Sequence, residues 1–162
     1  MFDADSVLGV WPLETREPAR ELLRMIGEPD EVNIHSLTWN GVEPWKYVKI
    51  YRTFSEHHFP KPHIDCVEAA LSHFIPYNTL PEITEFHSGV SYVKTLSEVR
   101  VYCKNLRYII EAMNGIHAIL TESDSIDTLR VRFKKNVEEP TTSIHMKLMF
   151  LPVSQPFTDD PI

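Results

Sequence analysis

The chain has 162 residues, 43% of them hydrophobic and 24% charged. That is the length and balance of one ordinary globular domain with a sizeable core. The 16 basic residues against 23 acidic ones leave a net charge of −7, which argues against nucleic acid as the main partner, because phosphate binding needs a positive surface.

In chain order, the first predicted element is a helix over Thr15 to Met25. Ala19, Leu22, Leu23 and Ile26 recur at helical spacing, Pro18 suits a first turn, and Gly27 followed by Pro29 is a stop. A hairpin follows, with strands over Ile34–Trp39 and Trp45–Phe54 around the turn signal Asn40-Gly41. In its second strand Val48, Ile50 and Phe54 share one face, and Trp45, Tyr47 and Tyr51 share the other. Both faces are partly apolar, so each calls for a cover: a helix, the tail, a ligand or a second chain.

The segment from Cys66 to Ile75 fits a strand, with Val67, Ala69, Leu71 and Ile75 together. It also fits a helix capped by Asp65. The strand is preferred, because Pro76 and a new helix start follow at once. That start is Thr79-Leu80-Pro81-Glu82, a capping-box spacing with proline in the first turn. The helix ends near His87-Ser88-Gly89. Alternation over Val90–Thr95 and Glu98–Lys104 predicts a second hairpin. Asn105 then caps the longest apolar stripe, through Leu106, Ile109, Ile110, Met113, Ile116 and Leu120. A further helix runs over Ser125–Val137, and its run Arg130, Arg132, Lys134 and Lys135 matches the helix dipole. Alternation over Ser143–Leu151 predicts a last strand.

The expected fold is therefore α+β, a single domain over residues 1–152. Its mainly antiparallel sheet of five or six strands packs with three to four helices. Residues 153–162 read as a loose acidic, proline-rich tail. Asp3 and Asp5 stand where an export signal would need positive charge. The longest uncharged stretches are too short and proline-rich to span a bilayer. With no CxxC, Cys66 and Cys103 read as buried reduced thiols, and the location expected from all this is the cytoplasm, with no membrane partner.

Two features carry chemistry. The stretch His57-His58-Phe59-Pro60-Lys61-Pro62-His63-Ile64-Asp65 gathers three imidazoles and a carboxylate around a stiff spacer. In extended chain His63 and Asp65 point the same way, while His57 and His58 point to opposite faces, so one of the two joins them. The set His58, His63 and Asp65 has the donor types of a site for a divalent transition metal, zinc or iron. Such a site keeps about three protein ligands and one open position. His57 or Glu68 would then serve as a nearby acid or base, and His73 or His87 as a remote ligand. A solvated loop between strands would carry the same residues. His117 reads as a core-edge residue, and His35, His87 and His145 as isolated.

The second feature is aromatic. Trp39, Trp45, Tyr47 and Tyr51, with Lys49 among them, suit a recognition surface for a protein partner or a small anionic ligand. Packing beneath a helix would use the same rings. No GxGxxG, GxxxxGK, HExxH or GxSxG occurs, so phosphate-cradling loops and nucleophile elbows are not expected.

The element order up to the long helix is similar to that of the small acidic dimeric chaperones of type III secretion systems. The resemblance implies a homodimer that binds a protein partner. The function expected first is accordingly a small soluble binding or interaction module using the aromatic sheet face. The alternative is a metal-dependent enzyme built on the histidine-rich stretch.

Overall fold

Asp3 starts the chain's first turn because its carboxylate accepts from the Ser6 amide at 2.8 Å, satisfying a free N–H of the short helix α1 (Ala4–Leu8). This is a computed structural model, and it describes residues 3–121 and 124–139. Helix α2 (Leu13–Ile26) buries Thr15, Ala19 and Leu22 and stops at Gly27, whose φ of +85° suits a residue without a Cβ. It starts two residues ahead of the prediction, so Pro18 falls in the second turn rather than the first.

Six strands follow: β1 (Glu31–Asn33), β2 (Ser36–Trp39), β3 (Tyr47–His57), β4 (His63–Ser72), β5 (Val90–Val93) and β6 (Glu98–Cys103). They form one sheet in the order β1-β2-β3-β4-β6-β5, with every pairing antiparallel. The α+β expectation thus holds, and so does the strand assignment for the segment after Asp65. The strand β1 and the helix α1 are additions, because elements this short leave little periodicity to read. The strand expected at Ser143–Leu151 and the tail lie outside the described residues.

Between β4 and β5 a single 3₁₀ turn (Tyr77–Thr79) leads into helix α3 (Leu80–Phe86). Thr79 does not cap it as the spacing suggested. Its hydroxyl donates to the Pro76 carbonyl at 2.7 Å instead, a local turn competing with the cap. Asn105 does cap helix α4 (Leu106–Thr121), accepting from the Tyr108 amide at 3.0 Å. Ser125 caps helix α5 (Ile126–Glu138) through the Thr128 amide. Among the described residues five α-helices stand where three or four were expected.

The apolar stripe of α4 meets β4 and β6, so Ile109, Met113 and Ile116 lie in one core with Val67, Leu71, Val99 and Val101. Helix α5 closes over α3 and α4 and contributes Leu129, Phe133 and Val137. The ring of Phe86, fully buried, has its tip against α4 at Gly115. A Cβ built there would stand 2.1 Å from Phe86 Cζ. On the same face, toward the β1 edge of the sheet, Trp39 sits beneath the end of α2, its indole N–H donating to the Gly27 carbonyl at 2.8 Å.

Strand β3 changes phase along its length. Up to Ile50 it pairs in simple register, with Val48 opposite Ala69 and Ile50 opposite Val67. Beyond a bulge, Ser55 lies opposite Asp65 and His57 opposite His63. From Ile50 to Ser55 is five steps along β3, but Val67 to Asp65 is only two along β4. Three extra residues is an odd number, so the parity that faces the core reverses. Phe54, expected inward with Val48 and Ile50, is therefore turned out and 40% exposed.

One ion-pair network stands apart from the core. Glu98, almost fully buried, holds Lys46 Nζ at 2.9 Å and Arg100 Nε at 2.6 Å. Burial pushes its carboxyl pKa up, but the hydrogen bonds and charges of Lys46 and Arg100 outweigh that and hold it below the usual 4.5. A carboxyl depressed in the folded state contributes stability above its unfolded pKa and loses it as pH falls through the folded value. Glu98→Gln should cost about 1–2 kcal/mol at pH 7, since Lys46 and Arg100 can rehydrate. It should also remove part of the stability loss seen below pH 4.5. Urea denaturation of both proteins at pH 7 and at pH 4 measures the two effects.

Candidate metal centre

The reversed phase of β3 decides which histidine reaches the interior. His57 is the last residue of β3 and pairs with His63, the first of β4, so both rings point to the helix-covered side. Asp65 lies two residues further along β4 on that same side. Cys103 ends β6, opposite Val67, and joins them from the neighbouring strand. One ligand atom from each of His57, His63, Asp65 and Cys103 lies within 4.8 Å of all the others, so this group could hold a metal ion.

His58, expected as the ligand beside His63 and Asp65, is exposed on the far side of the bend. It borders an open cleft of about 440 Å³ with Glu56, Glu85, Ser88 and Arg130. The correction follows from the bulge: without it the inward positions would run 48, 50, 52 and on to 58. Glu68 is not near the cluster either. Three residues beyond Asp65, it faces the opposite side of the sheet and accepts from the Tyr47 hydroxyl at 2.6 Å and the Tyr51 hydroxyl at 3.3 Å.

The four donors are buried together. The side chain of His63 is 3% exposed, that of Asp65 7% and that of His57 13%, and Cys103 is fully buried. Asp65 stands between the imidazoles, 2.8 Å from His63 Nε2 and 3.1 Å from His57 Nδ1. Neither contact has hydrogen-bond geometry. His57 Nδ1, His63 Nε2 and Asp65 Oδ1 are consequently buried with no hydrogen-bond partner. Such groups carry a desolvation cost unless something compensates them.

The outer nitrogens are engaged in a way that prepares the inner ones. His63 Nδ1 lies 2.7 Å from the Lys61 carbonyl, which can only accept, so the neutral ring carries its proton there and presents a lone pair at Nε2. His57 Nε2 lies 3.1 Å from Ser88 Oγ, which can accept a hydrogen bond from an Nε2–H and so leave the Nδ1 lone pair facing Asp65. This is the usual outer support of ligating histidines.

The electrostatics agree. Burial lowers the His57 pKa, the positive fields of His63, His58 and Arg130 lower it further, and Asp65 opposes them. Burial, then Asp65, push the Cys103 thiol well up, and burial pushes the Cys66 thiol up to about 12. Both cysteines are free and buried, as the sequence implied. The pocket thus favours a neutral His57 ring and a Cys103 thiol, and Cys103 becomes an anionic ligand when a cation displaces its proton.

Sequence reasoning missed Cys103 as a donor, and weighed His87 both as a remote ligand and as an isolated residue. His87 lies on the loop after α3, fully buried, with its ring centroid 5.3 Å from that of His57. Its Nε2 is 3.7 Å from Cys103 Sγ. His35, His73 and His117 are not part of the group, and His145 lies outside the described residues.

The aromatic set divides between the two sides of the sheet. Trp39, opposite Val48, belongs to the core face at 1% exposure, and Trp45, just ahead of β3, is also buried in the core. Tyr47, Lys49 and Tyr51 stay half-buried on the other face. There Lys49 Nζ lies 5.1 Å above the Tyr51 ring, and Tyr102 meets that ring edge-on. Burial and then Glu68 push the Tyr51 hydroxyl up to about 12.

Among the described residues no helix is long and apolar enough to cross a membrane. No protein-family model matches the chain, and neither a curated protein nor a solved structure shows significant similarity to it.

Proposed function

We propose that the protein is a zinc-binding protein in which one ion joins the ends of β3, β4 and β6. The ligands are His57 Nδ1, His63 Nε2, an Asp65 carboxylate oxygen and Cys103 Sγ. The observation that carries this reading is the convergence of buried, unpartnered His57 Nδ1, His63 Nε2 and Asp65 Oδ1 on one point beside a thiol. Ligands about 2.0–2.3 Å from a tetrahedral zinc stand roughly 3.3–3.6 Å apart, and these four atoms already lie within 4.8 Å of one another.

Zinc is favoured over iron because a thiolate with two imidazoles is a borderline-soft set, whereas open iron sites use two histidines and one carboxylate. Four protein donors complete a tetrahedron and leave no position for a substrate, which favours a structural ion over a catalytic one. The interaction reading keeps less support. Trp39 and Trp45 serve the core, and the hydroxyls of Tyr47 and Tyr51 are engaged by Glu68.

Elemental analysis of protein purified without an affinity tag, followed by titration with Co(II) as a coloured zinc substitute, tests the proposal. The expected result is one ion per chain, with a thiolate-to-cobalt charge-transfer band that Cys103→Ser abolishes. A chain that binds no zinc or cobalt, or a band that survives Cys103→Ser, would refute it.

A further inference from the structure

His87 is held as a single tautomer aimed at Cys103. The Gly89 amide donates to His87 Nδ1 at 3.0 Å, so Nδ1 is an acceptor and the neutral ring carries its proton on Nε2. That Nε2–H faces Cys103 Sγ at 3.7 Å. The ring therefore has no lone pair to offer an ion and has a donor to offer a sulfur.

The surroundings enforce this aim. Gly89 has no room for a side chain: a Cβ would stand 2.3 Å from the Tyr102 carbonyl oxygen and 2.9 Å from His87 Cε1. The Tyr102 amide in turn donates to the Gly89 carbonyl at 2.9 Å, which fixes the loop beside β6, one residue from Cys103. The rings of Phe86, Phe133 and Phe59 pack around the imidazole, with centroids 5.2–6.2 Å away. Water is excluded from the Nε2 side, and the sulfur is the acceptor the structure supplies.

We propose that His87 is a positioning residue for the zinc site, donating an N–H···S hydrogen bond to the metal-bound Cys103 thiolate. This rests on the zinc reading above and extends it. A charge-assisted bond of this kind takes electron density from the sulfur. It makes Cys103 a less basic, less nucleophilic ligand and fixes the direction from which the sulfur meets the ion. Outer partners of metal ligands typically matter at the level of 10–100-fold in metal affinity.

The test uses the full chain loaded with ¹¹³Cd and labelled with ¹⁵N. The expected result is a protected His87 Nε2–H proton that shows scalar coupling to the cadmium through the sulfur. His87→Phe should keep one ion per chain while weakening zinc binding about 10–100-fold. It should also move the thiolate-to-cobalt band to lower energy, a shift that loss of packing alone would not produce. A cadmium-loaded chain with the His87 proton on Nδ1, or with no coupling and an unmoved band, overturns this inference and leaves the zinc site standing. A chain that shows no bound cadmium resonance overturns both. The NMR measurement needs no substitution, so it decides the matter even where His87→Phe fails to fold.

Discussion

Zinc should raise the thermal midpoint of the unsubstituted protein, and this rise should survive His58→Ala but not His57→Ala. At a free concentration a hundred times its dissociation constant, a ligand bound only to the folded state stabilises by about 2.7 kcal/mol. For a chain of this length that is roughly a 5–10 °C shift. The contrast between neighbouring histidines is the sharp part of the expectation. His57 Nδ1 lies 3.1 Å from the Asp65 carboxylate, while His58 lies exposed in the cleft outside. Differential scanning fluorimetry of apo and zinc-loaded forms of the three proteins measures it. A zinc-dependent rise of the same size in His57→Ala would show that the ion sits elsewhere.

Gly115→Ala should be the most damaging single-methyl change in the molecule's helical layer. Alanine is intrinsically the better helix former by about 1 kcal/mol, so on an exposed face the change would stabilise. Here its Cβ would stand 2.1 Å from Phe86 Cζ and 2.3 Å from Cε2 of the same ring. Phe86 is fully buried and flanked by Phe133, so the ring cannot swing aside without moving α3 or α5. Overpacking of this kind costs about 1–3 kcal/mol and here outweighs the propensity gain. The net loss should be about 2 kcal/mol, or roughly 4–8 °C in the midpoint. Because His87 follows Phe86 directly, zinc affinity should fall as well. Urea denaturation with and without zinc checks both, and an unchanged or raised stability would mean that the ring moves freely.

The elements whose sequence carries its own periodicity were legible. Helix α4 shows its stripe from Leu106 onward and its cap at Asn105, and both are local properties of the chain. Half of the candidate site was legible for the same reason. His63 and Asp65 are two apart on one strand, and that spacing places them together whatever the rest of the fold does. Cys103 was not legible as a site residue, and His87 was legible only as one of several remote candidates. They arrive through the pairing of β4 with β6 and through the loop after α3, and no local pattern announces such pairings. Trp39 was misplaced because its face depends on its register against Val48, which the turn between the two strands does not fix by composition alone.

The bulge in β3 has a consequence for how this site could vary among related chains. With the strand pairing held, a deletion of one residue between Ile50 and Ser55 would set His58 opposite His63 and bring it to the candidate site, turning His57 to the other face. An insertion of one residue would set Glu56 there instead. With imidazoles at both positions, slippage of the strand by one residue in the first direction still delivers a nitrogen donor to the interior, and slippage in the other delivers a carboxylate.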